Sequence, residues 1–203
     1  MPLYKAEQYY QNKFGIIAGV DEAGRGPLAG PVVIASVILS YSKKINGLDD
    51  SKKLNEQKRE RLFKEITANA LCWNIEIISA KIIDDINILQ ATLLGMEKAV
   101  LSMKIKPDLC LIDGNMIPGK LSEFSQAIIK GDSKIASIAA ASILAKVSRD
   151  RLMLKLHSKY PQYNFKKNKG YPTKEHLTAL NKYGILDCHR KSYKPVQQLT
   201  FDL

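Results

Sequence analysis

Residues 16–30 constrain this chain more than any other stretch. An apolar run, Ile16-Ile17-Ala18-Gly19-Val20, leads straight into two adjacent acids, Asp21 and Glu22, and then into Gly24-Arg25-Gly26-Pro27-Leu28-Ala29-Gly30. The run reads as a buried strand. A carboxylate at the end of such a strand is costly unless it is paired or holds a metal ion. The glycines open the backbone to close approach by a ligand. A second apolar, β-branched run over 31–39 follows at once, so a hairpin is expected. An acidic pair beside an open backbone loop points to chemistry on a phosphate.

Further along, residues 71–80 alternate as a third strand. Residues 55–70 before them form a charged helix that Asn55 can cap. Residues 82–103 carry Ile86, Leu89, Leu93, Met96 and Val100 at helical spacing. Short strands at 109–112 and 127–129 end at Asp113 and near Asp132. Residues 133–160 read as a second long helix, and 173–183 as a short one between a Thr173 cap and Gly184. Strands first, then alternating helix and strand, predict an α/β fold: a mixed sheet flanked by helices. Residues 1–160 are expected to form the main domain, and 161–203 a small basic helical appendage packed on it.

The charge is uneven. The chain has 203 residues and a formal net charge of +11. Between Lys155 and Lys194 ten Lys or Arg face two acids, Glu175 and Asp187, and Tyr160, Tyr163, Phe165, Tyr171, Tyr183 and Tyr193 are interleaved. Cations with aromatics suit a phosphate backbone plus stacking, although a solvated lysine-rich face is the plainer alternative. The three cysteines, Cys72, Cys110 and Cys188, are too scattered for a zinc ribbon or a disulfide framework. The N-terminus lacks a secretory apolar region, and the apolar run 135–145 is too short to span a bilayer. A cytoplasmic protein with no membrane partner is expected.

Two tempting motifs fail. Gly24–Ala29 matches the dinucleotide-binding glycine pattern, but a strand rather than a helix follows it. Gly114-Asn115-Met116-Ile117-Pro118-Gly119-Lys120 matches a P-loop up to Leu121, which stands where Ser or Thr must reach Mg²⁺.

Four carboxylates remain at comparable places: Asp21, Glu22, Asp113 and Asp132. If their strands are neighbours, the acids converge, and hard cations are the natural compensation. Two ions about 3.5–4 Å apart can clamp the attacking and leaving oxygens of an in-line phosphoryl displacement. Singly, Asp113 could be a turn residue and Asp132 a helix cap. Asp21-Glu22 is harder to explain structurally.

Taken together, these blocks resemble one known family. Gly19 to Val32 is similar to the signature of ribonuclease HII, the bacterial type 2 ribonuclease H. The likeness continues through Asp50-Ser51-Lys52-Lys53-Leu54, Ile112-Asp113-Gly114-Asn115, Lys130-Gly131-Asp132-Ser133 and Ala140 to Asp150. It reappears at Gly170-Tyr171-Pro172-Thr173 and His189-Arg190-Lys191-Ser192-Tyr193. The resemblance implies a ribonuclease H-like five-stranded sheet, and an endonuclease that hydrolyses the RNA strand of RNA–DNA hybrids. It also implies incision of DNA at embedded ribonucleotides, leaving 3′-hydroxyl and 5′-phosphate ends.

By the same resemblance, Asp21, Glu22, Asp113 and Asp132 are the catalytic, metal-binding acids for one or two Mg²⁺ or Mn²⁺ ions, the second completed by substrate. Gly24, Arg25 and Gly26 would read the ribose 2′-hydroxyl, the group that separates RNA from DNA. Tyr171 would stack on the neighbouring sugar, its plainer alternative being a surface tyrosine in a turn. Ser51, Lys52, Lys53, Arg149, Arg190 and Lys191 are weaker candidates for backbone contacts. The tail 197–203 loosely resembles peptides that dock in replication sliding clamps; a packed or disordered terminus is favoured instead. A monomer is the default. The rival readings are a DNA-cutting nuclease of similar fold and a non-catalytic nucleic-acid-binding module.

Overall fold

The computed structural model describes residues 2–201, with side chains described for residues 3–199. Five strands form one sheet in the order β3-β2-β1-β4-β5. They are β1 (Ile17–Ala23), β2 (Val32–Ile38), β3 (Cys72–Ile78), β4 (Leu109–Asp113) and β5 (Ser125–Ile128). The expected hairpin is present, with β1 antiparallel to β2 and Asp21 opposite Ala35. On its other side β1 runs parallel to β4, with Val20 opposite Ile112, and β4 runs parallel to β5.

Every residue of β2 is buried, because helices cover both faces of the sheet. On one face α3 (Ala80–Leu101) packs on Val20, Ile34, Ile38 and Ile112. On the other lie α1 (Pro2–Phe14), α2 (Glu56–Asn69) and α4 (Ala136–Lys159), against Ala35, Val37 and Leu39. The alanines of α4 let it approach β1 very closely. A Cβ on Gly19 would collide with the backbone of Ser137 and Ile138.

Several boundaries differ from the sequence-based expectation. β1 continues past Val20 through both acids to Ala23, because β2 supplies partners as far as Val33. α3 starts earlier, capped by the Ser79 hydroxyl, and is broken at Asn87, whose φ is 63°. The Asn87 side chain accepts from the amides of Leu89 and Gln90 and restarts the helix. The break shifts the buried stripe to Ile83, Ala91, Met96 and Val100 and leaves Ile86 exposed.

The start of α4 is also corrected. A tight turn at Gly131–Ser133 precedes it, so Asp132 does not cap it. Its first turn is instead satisfied by Glu7 of α1, which accepts from the Ser137 amide at 3.0 Å and hydroxyl at 2.8 Å. Neither α1 nor this contact has a local sequence signal.

Beyond α4 lie α5 (Phe165–Asn168), α6 (Lys174–Tyr183) and α7 (Lys194–Phe201). They close around Tyr163, Phe165, Leu180 and Val196, with Met153 of α4 and Leu28-Ala29 of the glycine-rich loop in the same core. The caps of α2 and α6 are Asn55 and Thr173, as their positions predict. The described part of the tail is helical from residue 194 to residue 201; residues 202–203 of the clamp-like segment lie outside the described residues.

Candidate active site

Strand parity and the parallel β1–β4 pairing decide where the acids go. Ile17 and Leu111 face the α1/α4 side, while Val20 and Ile112 face α3. Alternation therefore puts Asp21 and Asp113 on the α4 side and Glu22 on the other. Asp132 arrives from the turn after β5. Asp21, Asp113 and Asp132 offer carboxylate oxygens that all lie within 4.8 Å of one another.

Each carboxylate is held. The Asp21 carboxylate accepts from the Glu22 amide at 2.7 Å and from the Ser142 hydroxyl of α4. Ser142 in turn shares a 2.9 Å hydrogen bond with Ser51. Asp113 accepts from the Gly131 amide at 2.6 Å, which ties β4 to the Asp132 turn. Glu22 is not part of the three-aspartate cluster; it pairs with Arg25 at 3.6 Å and lines a pocket with Asp113.

The electrostatics are unfavourable by construction. Burial, then the charges of Glu22 and Asp113, push the Asp21 carboxyl well above the ordinary carboxylate range. Burial, then Asp113 and Asp50, raise Asp132. Burial also raises Glu22, against the pull of Arg25. Burial works against the Lys52 ammonium, but Asp50, Asp21, Asp132 and Asp113 outweigh it and raise its pKa. Three convergent oxygen donors, with no His or Cys among them, fit a hard divalent cation.

Beside the acids is a cleft of about 270 Å³ bounded by Glu22, Gly24, Gly26, Lys52, Lys146 and Tyr171. Tyr171 is half exposed, and a Cβ on Gly26 would touch its ring at 3.4 Å. Lys52, Lys53 and Lys191 are exposed, and of the three Lys52 lines the cleft. Ser51 is buried, its hydroxyl engaged with Ser142.

Arg149 and Arg190 are corrected. Both are fully buried, so neither is open to a phosphate. Arg149 donates to the carbonyls of Ala29, Pro31 and Lys169, and Arg190 to those of Gly24, Arg25 and Gly30. Burial lowers both guanidinium pKa values, Arg149 to about 10, and neither has a carboxylate partner within salt-bridge distance among the described residues. The two arginines brace the loop from behind. With its carbonyls turned inward, the loop leaves the Arg25 and Gly26 amides without a backbone partner outside the strands among the described residues. A Cβ on Gly24, whose φ is +100°, would collide with Arg149, so glycine is required there.

The sequence reading missed Ser142, Lys146 and Asp50. Ser142 lies inside a run that reads as core helix. Asp50 looks like a loop acid, yet it accepts from the Lys52 amide at 2.9 Å and so shapes the turn that presents that lysine.

A mixed five-stranded sheet that brings three aspartates together, next to a loop open to a nucleic acid, defines a metal-dependent nuclease of ribonuclease H-like fold. The comparisons with known proteins agree. The family model for ribonuclease HII matches residues 18–196. "Ribonuclease HII 2" of Methylibium petroleiphilum is 55% identical over 188 residues, covering 93% of this chain and 86% of that protein. Ribonuclease HII of Vibrio parahaemolyticus is 51% identical over 198 residues, covering 98% and 92%. Among solved structures, ribonuclease H2 from Pyrococcus horikoshii superposes with a TM-score of 0.77 at 28% identity, covering 92% of this chain and 98% of that one. The ribonuclease HII in a PCNA complex from Archaeoglobus fulgidus gives 0.75 at 29%, covering 88% and 95%.

The chain belongs to the ribonuclease HII family. It is an endoribonuclease of the ribonuclease H type, metal-dependent, that degrades RNA in RNA–DNA hybrids.

Proposed function

We propose that the enzyme also incises DNA at single embedded ribonucleotides, leaving 3′-hydroxyl and 5′-phosphate ends, and that Mg²⁺ or Mn²⁺ serves it. One observation carries this reading: the Gly24–Gly26 loop and Tyr171 line one cleft with Glu22, and Glu22 and Arg25 line the adjoining pocket with Asp113. Recognition of one ribose is thereby adjacent to the phosphate to be cut. Free amides at Arg25 and Gly26 can donate to a 2′-hydroxyl, with no side chain at the glycines to obstruct them.

Asp21, Asp113 and Asp132 would hold the cation. Bound divalent ions would supply Lewis-acid stabilisation of the phosphoryl charge and lower the pKa of the attacking water. Glu22, which lines a pocket with Asp113 and pairs with Arg25, would complete the carboxylate set for a second ion once a substrate phosphate engaged Arg25. Tyr171 offers its half-exposed ring to the neighbouring sugar. Lys52, Lys53 and Lys191 neutralise backbone phosphates.

The decisive experiment uses a DNA duplex holding one ribonucleotide, with and without divalent metal. A cut at the ribonucleotide only with metal supports the reading; no cut with metal overturns it.

A monomer acting in the cytoplasm belongs to the same proposal; among the described residues no helix is long and apolar enough to cross a membrane. A weak clamp contact through the tail is supported by its sequence likeness and by the structural neighbour being a PCNA complex. Deleting residues 197–203 and testing clamp pull-down decides it.

A further inference from the structure

Two histidines that touch neither the acids nor the cleft connect its two walls. His176 and His189 are fully buried against Tyr163 and Phe165, with their Nε2 atoms 3.1 Å apart. The backbone dictates their proton positions. The Leu186 amide donates to His189 Nδ1 at 2.9 Å, so that nitrogen carries no proton. His189 therefore bears its proton on Nε2 and donates to His176. His176 then bears its proton on Nδ1 and donates to the Tyr171 carbonyl at 2.9 Å. The chain of bonds runs one way, from Leu186 to Tyr171. Burial lowers both ring pKa values, and the adjacent His176 helps hold His189 at about 4, so both rings are neutral near pH 7.

The same segment holds the opposite wall. His189 bridges antiparallel to Ala29, and the Arg190 amide donates to the Leu28 carbonyl at 2.8 Å. The Arg190 guanidinium then grips the carbonyls of Gly24, Arg25 and Gly30. Two consecutive residues thus reach both walls, His189 through His176 to the Tyr171 turn and Arg190 to the glycine loop. The walls meet where Gly26 faces the Tyr171 ring.

We infer that His176 and His189 are positioning residues for ribose selection: they set where Tyr171 sits over the Gly24–Gly26 loop, and so how well the enzyme cuts at a lone ribonucleotide relative to a long hybrid. The inference rests on the proposed reading of that loop and of Tyr171. A long hybrid offers many equivalent registers and tolerates a displaced ring. A lone ribonucleotide offers one, and a misplacement of about 1 Å can cost on the order of 10²-fold in rate.

The test compares His176→Asn with His176→Leu in the full chain. The asparagine amide nitrogen stands near the place of Nδ1 and can still donate to the Tyr171 carbonyl; leucine cannot. For each variant kcat and KM are measured on a long RNA–DNA hybrid and on DNA with one ribonucleotide, alongside Tm. The expected result is a ratio of kcat/KM, lone ribonucleotide over hybrid, reduced about tenfold or more in the leucine variant and within about twofold of the parent in the asparagine variant. An unchanged ratio in a folded leucine variant overturns the inference, as does an equal fall on both substrates that follows Tm. Should leucine prevent folding, His189→Asn keeps an acceptor for Leu186, cuts the link to His176 and is read by the same ratio. If the parent itself leaves the lone ribonucleotide uncut while cutting the hybrid, the proposed function fails, which separates that failure from this one.

Discussion

The two halves of the cleft are built on opposite principles. At the acidic end, like charges are buried together: burial, Glu22 and Asp113 raise the Asp21 carboxyl, and burial, Asp113 and Asp50 raise that of Asp132. At the glycine loop, buried positive charge is matched almost entirely by backbone carbonyls, and the loop is fixed before substrate arrives. On the proposed reading, a cation completes the first half. The second is finished with the fold. The contrast shows where this protein keeps its stability and where it gives some up for reactivity.

The largest test of that contrast is Asp21→Asn. It should reduce cleavage of the hybrid by roughly 10⁴-fold or more. In chelator it should raise Tm by a few degrees, as removal of about 1 kcal/mol of buried repulsion does in a chain this size. A stability loss instead would mean that the acids are structural.

Next comes Arg190→Met on the other half. Removing this brace leaves the Gly24, Arg25 and Gly30 carbonyls without their donor, at a cost of roughly 3–5 kcal/mol. Tm should fall by about 10 °C, and cleavage should fall with it. A Tm within about 2 °C of the parent would erase the distinction between the two halves.

The smallest effect is in pH. The folded-state pKa of Asp21 is raised, so its contribution to stability is full below the unfolded value near 4 and is lost as pH rises through the folded value. The Tm advantage of Asp21→Asn in chelator should therefore widen from pH 5 to pH 8, and shrink again when Mg²⁺ or Mn²⁺ is added. A gap independent of pH would point to packing rather than charge.

Much of this was legible in sequence, for identifiable reasons. Asp21 and Asp113 end short apolar runs and Asp132 follows a third, and parallel neighbouring strands deliver their C-terminal ends to one edge. Three things were not legible. Glu22 follows Asp21 in sequence but leaves the other face of the sheet, so it acts on the aspartates by charge without joining their cluster. Arg149 and Arg190 lie in basic, polar surroundings that read as surface, yet their partners are backbone carbonyls, which carry no sequence signature. Asn87 interrupts a helix whose apolar spacing runs through it without a break.

Glu7 separates two meanings of a domain. The family model begins at residue 18 and leaves α1 out, although the Vibrio parahaemolyticus relative aligns over 198 residues and so reaches into α1. Yet α1 supplies the buried carboxylate that receives the first turn of α4, and burial holds that carboxyl near a pKa of about 7. α4 is the helix that brings Ser142 to Asp21 and Arg149 to the loop. The boundary of the family model and the boundary of cooperative folding are therefore different lines on this chain. A version trimmed to the first would retain every residue of the active site and lose one of the contacts that holds them in register.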